Sequence, residues 1–454
     1  MKEHSVLSLI GDTPLVKVSK LDTGCCELFL KLENHNPGGS IKDRVALSMI
    51  EDAEERGLLK PGGTIIEATA GNTGLGLALV ALNKGYRLIL VIPDKMSREK
   101  ISHLKGMGAK IIITRSDVGK GHPEYYQDIA ERITAETPGA FYINQFNNPA
   151  NPLAHSTTTG PEIWKQMNHE VDAIVAGVGS GGTLAGLSQF FAKVSPHTEM
   201  VLADPKGSIL ADYIHTGKIG EAGSWLVEGI GEDFIPGIAD LSRVKKAYTI
   251  TDQESFATIR EVLKLEGILG GSSSGTLIAA ALRYCREQKT PKRVVTFICD
   301  SGNKYLSKVY NDFWMTDHGL LDKPHFHDLR DLISRLHEQD AVVSLNPNET
   351  LRTALHRMKS HDVSQLPVLE NERLVGLLDE SDLLNAIYNK KYSYNDPVKI
   401  AMVEKVDTLP ITTPIDALLP IFELGYVAVI VDGERFQGLI TRIDLLNYLR
   451  EKTS

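Results

Sequence analysis

The sequence predicts an α/β fold of parallel sheets covered by helices, followed by a smaller module built on an internal repeat. Two observations carry this. From residue 64 to about 310, short apolar runs alternate with helical patterns, as in sheets buried on both faces. After residue 340, VLENERLVGLLDESDLLN (368–385) and IVDGERFQGLITRIDLLN (430–447) repeat one another at constant offset, as stacked units do.

Taken in order, 65–68 is a short β-rich run, and GNTGLGLALVALNKG after it reads as a turn and a helix. Residues 87–92 form an apolar strand closed by Pro93. Residues 96–107 are helical and 110–114 a strand. Runs at 141–144, 173–176, 200–203 and 294–299 are further strands. The alternation ends near Trp314. Residues 317–328 carry three histidines and a proline without periodicity. They read as the start of a connection, because His318, His325 and His327 lack a spacing that would converge on a metal. The expected boundaries are a first domain over 1–320, a linker over 321–340, and repeat units over 341–392 and 393–454.

With 454 residues the chain is too long for one core. Hydrophobic and charged fractions of 42% and 24% are ordinary for a globular protein. A net charge of -9 disfavours a nucleic-acid partner, which needs a basic surface. Cys25, Cys26, Cys285 and Cys299 form neither a CxxC pair nor a zinc spacing, so a reducing compartment is expected. No signal peptide is recognised, and runs such as LGLALVAL are short of a membrane span. The expected location is the cytoplasm.

Four segments could carry chemistry. In PGGSIKDR (37–44), Ser40 can cap a helix whose first turn holds Lys42. A lysine there is electrostatically misplaced. A helix N-terminus and burial both favour the neutral amine that attacks a carbonyl. In EATAGNTGLG (67–76), the N–H groups and short polar side chains at a helix start suit a carboxylate. In VDAIVAGVGSGGTLAG (171–186), a strand enters a glycine loop and a helix, as at phosphate sites. Gly177, Gly179 and Gly182 also satisfy a dinucleotide pattern, with Asp204 as its ribose-binding acid, so a nicotinamide oxidoreductase is a rival. In EGILGGSSSGTLIAAAL (266–282), glycines and serines precede an Ala-rich helix.

PGGSIKDR, AGNTG, GSGGT and GGSSSG, in that order, resemble the fold-type II pyridoxal-phosphate family of cysteine synthase and cystathionine β-synthase. The likeness covers nearly the whole chain. It implies two parallel-sheet subdomains followed by a tandem CBS-domain (Bateman) module. It implies pyridoxal 5'-phosphate as cofactor, with Lys42 forming the Schiff base and shuttling protons. Asn72 would bond the ring hydroxyl oxygen. Gly179, Ser180, Gly181, Gly182 and Thr183 would hold the phosphate, and Ser273 would face the pyridine nitrogen. Thr69, Ala70, Gly71, Asn72, Thr73 and Gln145 would bind the substrate carboxylate, with Gly229 beside the substrate.

ADPKGSIL (203–210) and VEGIGEDFIP (227–236) resemble the cystathionine β-synthase branch. The implied reaction is β-replacement through an aminoacrylate, joining L-serine to L-homocysteine as cystathionine and water, a lyase step of transsulfuration. Ala70 stands where many relatives have serine, so O-acetylserine is the alternative first substrate. Phe146 and Glu232 replace tyrosines near the thiol entrance. Cysteine as substrate, with hydrogen sulfide released, is left open. No haem and no metal are expected, and a homodimer or larger homo-oligomer is implied. A third reading is a nucleotide-sensing protein without activity. In the repeat, Gly438, Thr441 and Asp444 keep a ribose-binding pattern. Asp379 beside Asp382 breaks it in the first unit, so at most one site for S-adenosylmethionine or an adenine nucleotide is expected, at Thr441 and Asp444.

Overall fold

A computed structural model describes residues 5–69, 71–94, 96, 98–115, 117–118, 121–321, 326–333 and 342–453. It divides into two compact units, Met1–Tyr310 and Asn311–Ser454. In the first unit the apolar runs sort into two sheets. Strands β1 (Leu15–Lys17), β2 (Glu27–Leu32), β7 (Ala173–Ala176), β8 (Glu199–Pro205), β9 (Val244–Ile250) and β10 (Arg293–Ile298) form one, in the order β1-β2-β10-β7-β8-β9. Strands β3 (Thr64–Ala68), β4 (Arg87–Pro93), β5 (Lys110–Thr114) and β6 (Ala140–Tyr142) form the other, in the order β5-β4-β3-β6. Every pairing is parallel except β1 with β2 at the edge.

The strands expected from apolar runs are present to within a residue or two. The sequence reading did not assign β1, β2 or β9. Strand β2 (ELFLKL) is interrupted by Glu27 and Lys31, and β9 carries two lysines, so neither stands out as a continuous apolar run. The helix expected over 96–107 spans Arg98–Gly106.

Helix α1 (Lys42–Glu55) and helix α2 (Asn72–Lys84) pack against each other beside the four-stranded sheet. Nearly the whole apolar run of α2 is buried, which suits a core helix rather than a surface one. Val45, Met49, Ile50, Leu75, Leu77 and Val80 share one core with Ile65, Leu90 and Ile92. Gly76 makes the close approach feasible: a Cβ there would sit 2.7 Å from the Lys42 carbonyl oxygen.

The second unit holds one sheet, from β11 (Gln365–Glu370), β12 (Arg373–Asp379), β13 (Thr408–Pro410), β14 (Ala428–Asp432) and β15 (Arg435–Ile440), ordered β11-β12-β15-β14-β13. The repeat is visible atom by atom. Each copy is a hairpin feeding a helix, Glu380–Tyr388 or Arg442–Thr453, and both hairpins slip register at the same point, between Val368 and Leu369 and between Ile430 and Val431. Arg373 pairs with Glu434 at 2.7 Å and Arg435 with Glu372 at 2.6 Å, a reciprocal exchange between equivalent positions. The segment expected as linker contributes to this unit, since Leu329, Leu332 and Ile333 are buried against Leu418 and Ile430. Most of the rest of that segment, with His325, lies outside the described residues. His318 stacks on Trp314 at 4.1 Å.

Candidate active site

Several glycine-bearing turns leave the carboxyl ends of parallel strands, where open α/β sheets bind ligands, while Gly270 and Gly271 join two helices and open the one that carries Ser273. Thr69–Thr73 follows β3, Gly177–Gly181 follows β7, and Cys299–Lys304 follows β10. Strand β2 leads through Pro37–Ser40 to Lys42 at the head of α1. The helix starts after Ile41, one residue later than Ser40 capping would place it. Ser40 still serves the first turn, its Oγ accepting the Lys42 backbone N–H at 3.3 Å.

Lys42 is half-buried, and its Nζ makes no hydrogen bond or ion pair among the described residues. Burial pushes the amine below the ordinary lysine range, against the opposing pull of Cys299 and Asp300. Ser273 lies in the first turn of the helix Ser272–Arg286, nearly buried. Its hydroxyl meets the Cys299 thiol, which burial pushes up to about 12. Lys42 pulls on the same thiol. Lys42, Cys299 and Ser273 therefore share one wall.

The loop after β7 is shaped for an anion. Gly181 has φ +89°, and a Cβ on it would meet the Ala239 Cβ at 2.5 Å, so only glycine fits. A Cβ on Gly179 would meet the Gly229 carbonyl oxygen at 2.5 Å. No backbone N–H from 179 to 183 reaches an acceptor among the described residues. Asn151 braces the loop, its Nδ2 donating to the Ser180 Oγ at 2.9 Å. His155 stands behind Thr183, with Nε2 3.2 Å from the Thr183 Oγ1 and Nδ1 3.0 Å from the Thr159 Oγ1. Burial drives its pKa well below the ordinary value, so this ring is neutral. It opens a π-helical turn, His155–Thr159, of a kind frequent at functional sites.

Thr69, Gly71, Asn72 and Thr73 line the second loop, and Ala70 lies outside the described residues. The Thr69 Oγ1 accepts the Gly71 N–H at 3.2 Å. The Thr73 hydroxyl donates to the Gln145 Oε1 at 2.7 Å, and the Gln145 Nε2 donates to the Glu67 Oε1 at 3.1 Å. Gln145 thus orients the Thr73 hydroxyl from within. Gly229 has φ +92° with open space where a side chain would stand.

Several polar residues here escaped the sequence reading. Asn72 donates through Nδ2 to the Asp300 Oδ2 at 2.7 Å, and its Oδ1 accepts from the Lys304 Nζ at 2.9 Å. Tyr305 donates to the same Asp300 oxygen at 2.7 Å and accepts from the Lys100 Nζ at 3.1 Å. Lys100 also pairs with Glu228 at 2.5 Å, and Glu228 with Lys308 at 2.6 Å. The Glu228 N–H donates to the Ser272 Oγ at 3.1 Å, tying this network to the helix that carries Ser273. CDSGNKY was legible as another turn after an apolar strand, at the edge the three glycine loops share. His155 had no such signal.

The dinucleotide reading does not survive the geometry. Asp204 is fully buried, and its carboxylate accepts the Ala211 N–H at 2.8 Å, so it is not an exposed acid that a ribose could meet. In the second unit, the Asp444 Oδ2 accepts from the Thr441 N–H at 2.7 Å and its hydroxyl at 2.6 Å. In the first repeat the two acids form a reciprocal cap: the Asp382 N–H donates to Asp379 at 2.7 Å and the Asp379 N–H to Asp382 at 3.1 Å. Burial and the neighbouring Asp379 charge still push the Asp382 carboxyl up, against the pull of the Asp379 backbone N–H.

A family model described as pyridoxal-phosphate dependent enzyme matches residues 6–300, and one described as CBS domain matches 329–389 and 398–451. The chain is 36% identical to a cystathionine beta-synthase of Apis mellifera over 457 residues, covering 98% of this chain and 90% of that protein. It is 34% identical to a cystathionine beta-synthase of Saccharomyces cerevisiae, with 98% of each covered. Among solved structures, a hydrogen sulfide-producing enzyme from Fusobacterium nucleatum superposes with a TM-score of 0.63 at 38% identity, covering 66% of this chain and 99% of that one.

Proposed function

Because the chain belongs to the pyridoxal-phosphate dependent enzyme family, in its cystathionine β-synthase branch, we infer that its catalytic work centres on Lys42. The enzyme condenses L-serine with L-homocysteine to L-cystathionine and water. The fold-type II catalytic region is followed by a CBS-domain pair with its own sheet. The observation that carries the site is an unpaired lysine amine, depressed by burial, beside a loop of unpaired N–H groups.

The residues fit the cofactor. The N–H groups of Gly179, Ser180, Gly181, Gly182 and Thr183 would hold its phosphate, Lys42 its carbonyl carbon, Asn72 its ring oxygen, and Ser273 its ring nitrogen. When bound, pyridoxal phosphate supplies an electron sink for charge developing at the α-carbon of the amino acid. Ser273 is a neutral partner and leaves the ring nitrogen unprotonated, which favours prompt loss of the β-substituent. Thr69, Asn72 and Thr73 present donors to the substrate carboxylate, the Gly71 turn being closed by its N–H to the Thr69 Oγ1, and Gly229 leaves room beside it. The Lys42 amine takes the α-proton and delivers it to the departing hydroxyl, which leaves as water. The homocysteine sulfur bonds to Cβ, and its proton returns through Lys42 to the α-carbon.

Full-length likeness to cystathionine beta-synthases favours serine over O-acetylserine. Likeness to a hydrogen sulfide-producing enzyme supports release of hydrogen sulfide from cysteine as a second outcome at the same site. The pair Thr441 and Asp444 binds the ribose of an adenosyl ligand, S-adenosylmethionine or an adenine nucleotide. We propose a cytoplasmic homodimer or larger homo-oligomer, as the family resemblance implies. Among the described residues no helix is long and apolar enough to cross a membrane.

An absorbance titration tests this reading. The visible band of the bound cofactor should shift on adding serine and return on adding homocysteine, with cystathionine detected by mass spectrometry. Lys42→Ala should lose turnover by at least about 10²-fold. A protein with no band after incubation with pyridoxal phosphate would overturn the reading. A band moved by O-acetylserine and not by serine would replace the first substrate.

A further inference from the structure

Lys304 lies outside every motif read from the sequence, yet it is almost fully buried at the centre of the site. An ammonium has three N–H donors. Those of Lys304 meet three neutral oxygens: the Gly38 carbonyl at 3.3 Å, the Gly39 carbonyl at 3.1 Å and the Asn72 Oδ1 at 2.9 Å. No carboxylate pairs with it directly among the described residues. Asp300 and Asp43 face it only through longer-range attraction.

The effect falls on the Asn72 amide. With Oδ1 held by a cation and one Nδ2–H held by Asp300, the amide has a single orientation. Flipped, it would turn an N–H toward the ammonium and an oxygen toward the Asp300 carboxylate, losing two charge-assisted bonds at once. The orientation imposed leaves the second Nδ2–H as the free donor, the polarity needed to meet an electron-rich ring oxygen. Asp300 is itself fixed by Tyr305.

We propose that Lys304 is a positioning residue that sets the Asn72 amide as a hydrogen-bond donor toward the cofactor. The proposal rests on the pyridoxal-phosphate reading of this site. It acts before any chemistry, so it is read out in cofactor binding by the apoenzyme.

The test is a double-mutant cycle on the full chain, with pyridoxal phosphate titrated into apoenzyme and followed by absorbance and tryptophan fluorescence. Lys304→Met should weaken cofactor binding roughly 10–100-fold, the range seen when a partner that orients a binding group is removed. Lys304→Gln, which still offers an N–H, should recover part of that loss. In an Asn72→Ala background, Lys304→Met should cost less than about twofold, because there is no amide left to orient. Unchanged affinity in Lys304→Met would overturn the proposal, and so would an undiminished loss in the Asn72→Ala background. Thermal melts of the apoproteins check folding. Should the methionine variant fail to fold, Lys304→Ala, whose cavity admits water to the glycine carbonyls, is held to the same two comparisons. A wild-type protein that binds no pyridoxal phosphate would instead sink the reading beneath it.

Discussion

Glu67 lies beneath the Thr69–Thr73 loop with no exposure to solvent, and its Oε2 has no hydrogen-bond partner among the described residues. Burial pushes its carboxyl from 4.5 up to about 8, and hydrogen bonds from Gln145 only partly oppose this. The folded chain therefore holds a proton that the unfolded chain has released across that interval. Stability contributed by this site falls as pH rises from about 4.5 to 8. Glu67→Gln keeps the shape and removes the titration. Its melting temperature should match or trail the wild type near pH 5 and overtake it toward pH 8. The gain is bounded on the order of 4–5 kcal/mol at about 1.4 kcal/mol per pKa unit. A difference that is flat or shrinks with rising pH would count against a neutral, buried Glu67. At the same scale, Gly181→Ala should weaken cofactor binding by at least about tenfold in apoenzyme titration. The new methyl must enter both a left-handed backbone position and the space of Ala239.

At the scale of elements, the head of α1 is held by a buried ion cluster. Arg44 bonds Glu33 at 2.8 and 2.9 Å and Glu162 at 2.6 and 2.7 Å, and Lys31 adds a bond to Glu162 at 2.8 Å. These contacts join α1 to the end of β2 and to the helix Gly160–Gln166. They fix the helix that presents Lys42. Arg44→Met should destabilise the protein by about 3–5 kcal/mol in urea denaturation, because it strands Glu33 in the interior. Gly76→Ala should cost about 1–3 kcal/mol by forcing α2 away from the Lys42 carbonyl. Loss of the cofactor band in that variant, with the fold intact, would show the spacing of the two helices acting on Lys42. Most elements were legible in the sequence, since a buried parallel strand is a continuous apolar run. Strands β2 and β9 were not, because charged residues break their runs: Lys31 is fully buried in its ion cluster, and Lys246 reaches Glu287.

At the scale of the whole molecule, the repeat makes two hairpin–helix units that differ at the ribose-binding position. The Asp379–Asp382 cap uses both carboxylates on backbone N–H groups, so neither offers the hydroxyl that Thr441 supplies. Calorimetric titration with S-adenosylmethionine should therefore give one site per chain, and Asp444→Ala should weaken it at least about tenfold. Two equivalent sites, or binding indifferent to Asp444→Ala, would remove the assignment of this ligand to the second repeat.

The sequence by itself determined the class of fold, the repeat and the glycine-rich helix starts, while Asn72 and Ser273 were picked out within those turns only by the family resemblance. Each of those three is a local signal: strand period, helix start and turn chemistry are set by neighbours along the chain. Only the tertiary structure decided which buried charges surround those turns. Lys304 reaches Asn72 across 232 positions, Lys100 reaches Glu228 across 128, and His155 reaches Thr183 across 28. A buried lysine or histidine looks like a surface one in sequence. What separates them is whether folding brings three oxygens or a hydroxyl to the atom that must not remain bare, and that is a property of packed sheets rather than of any segment.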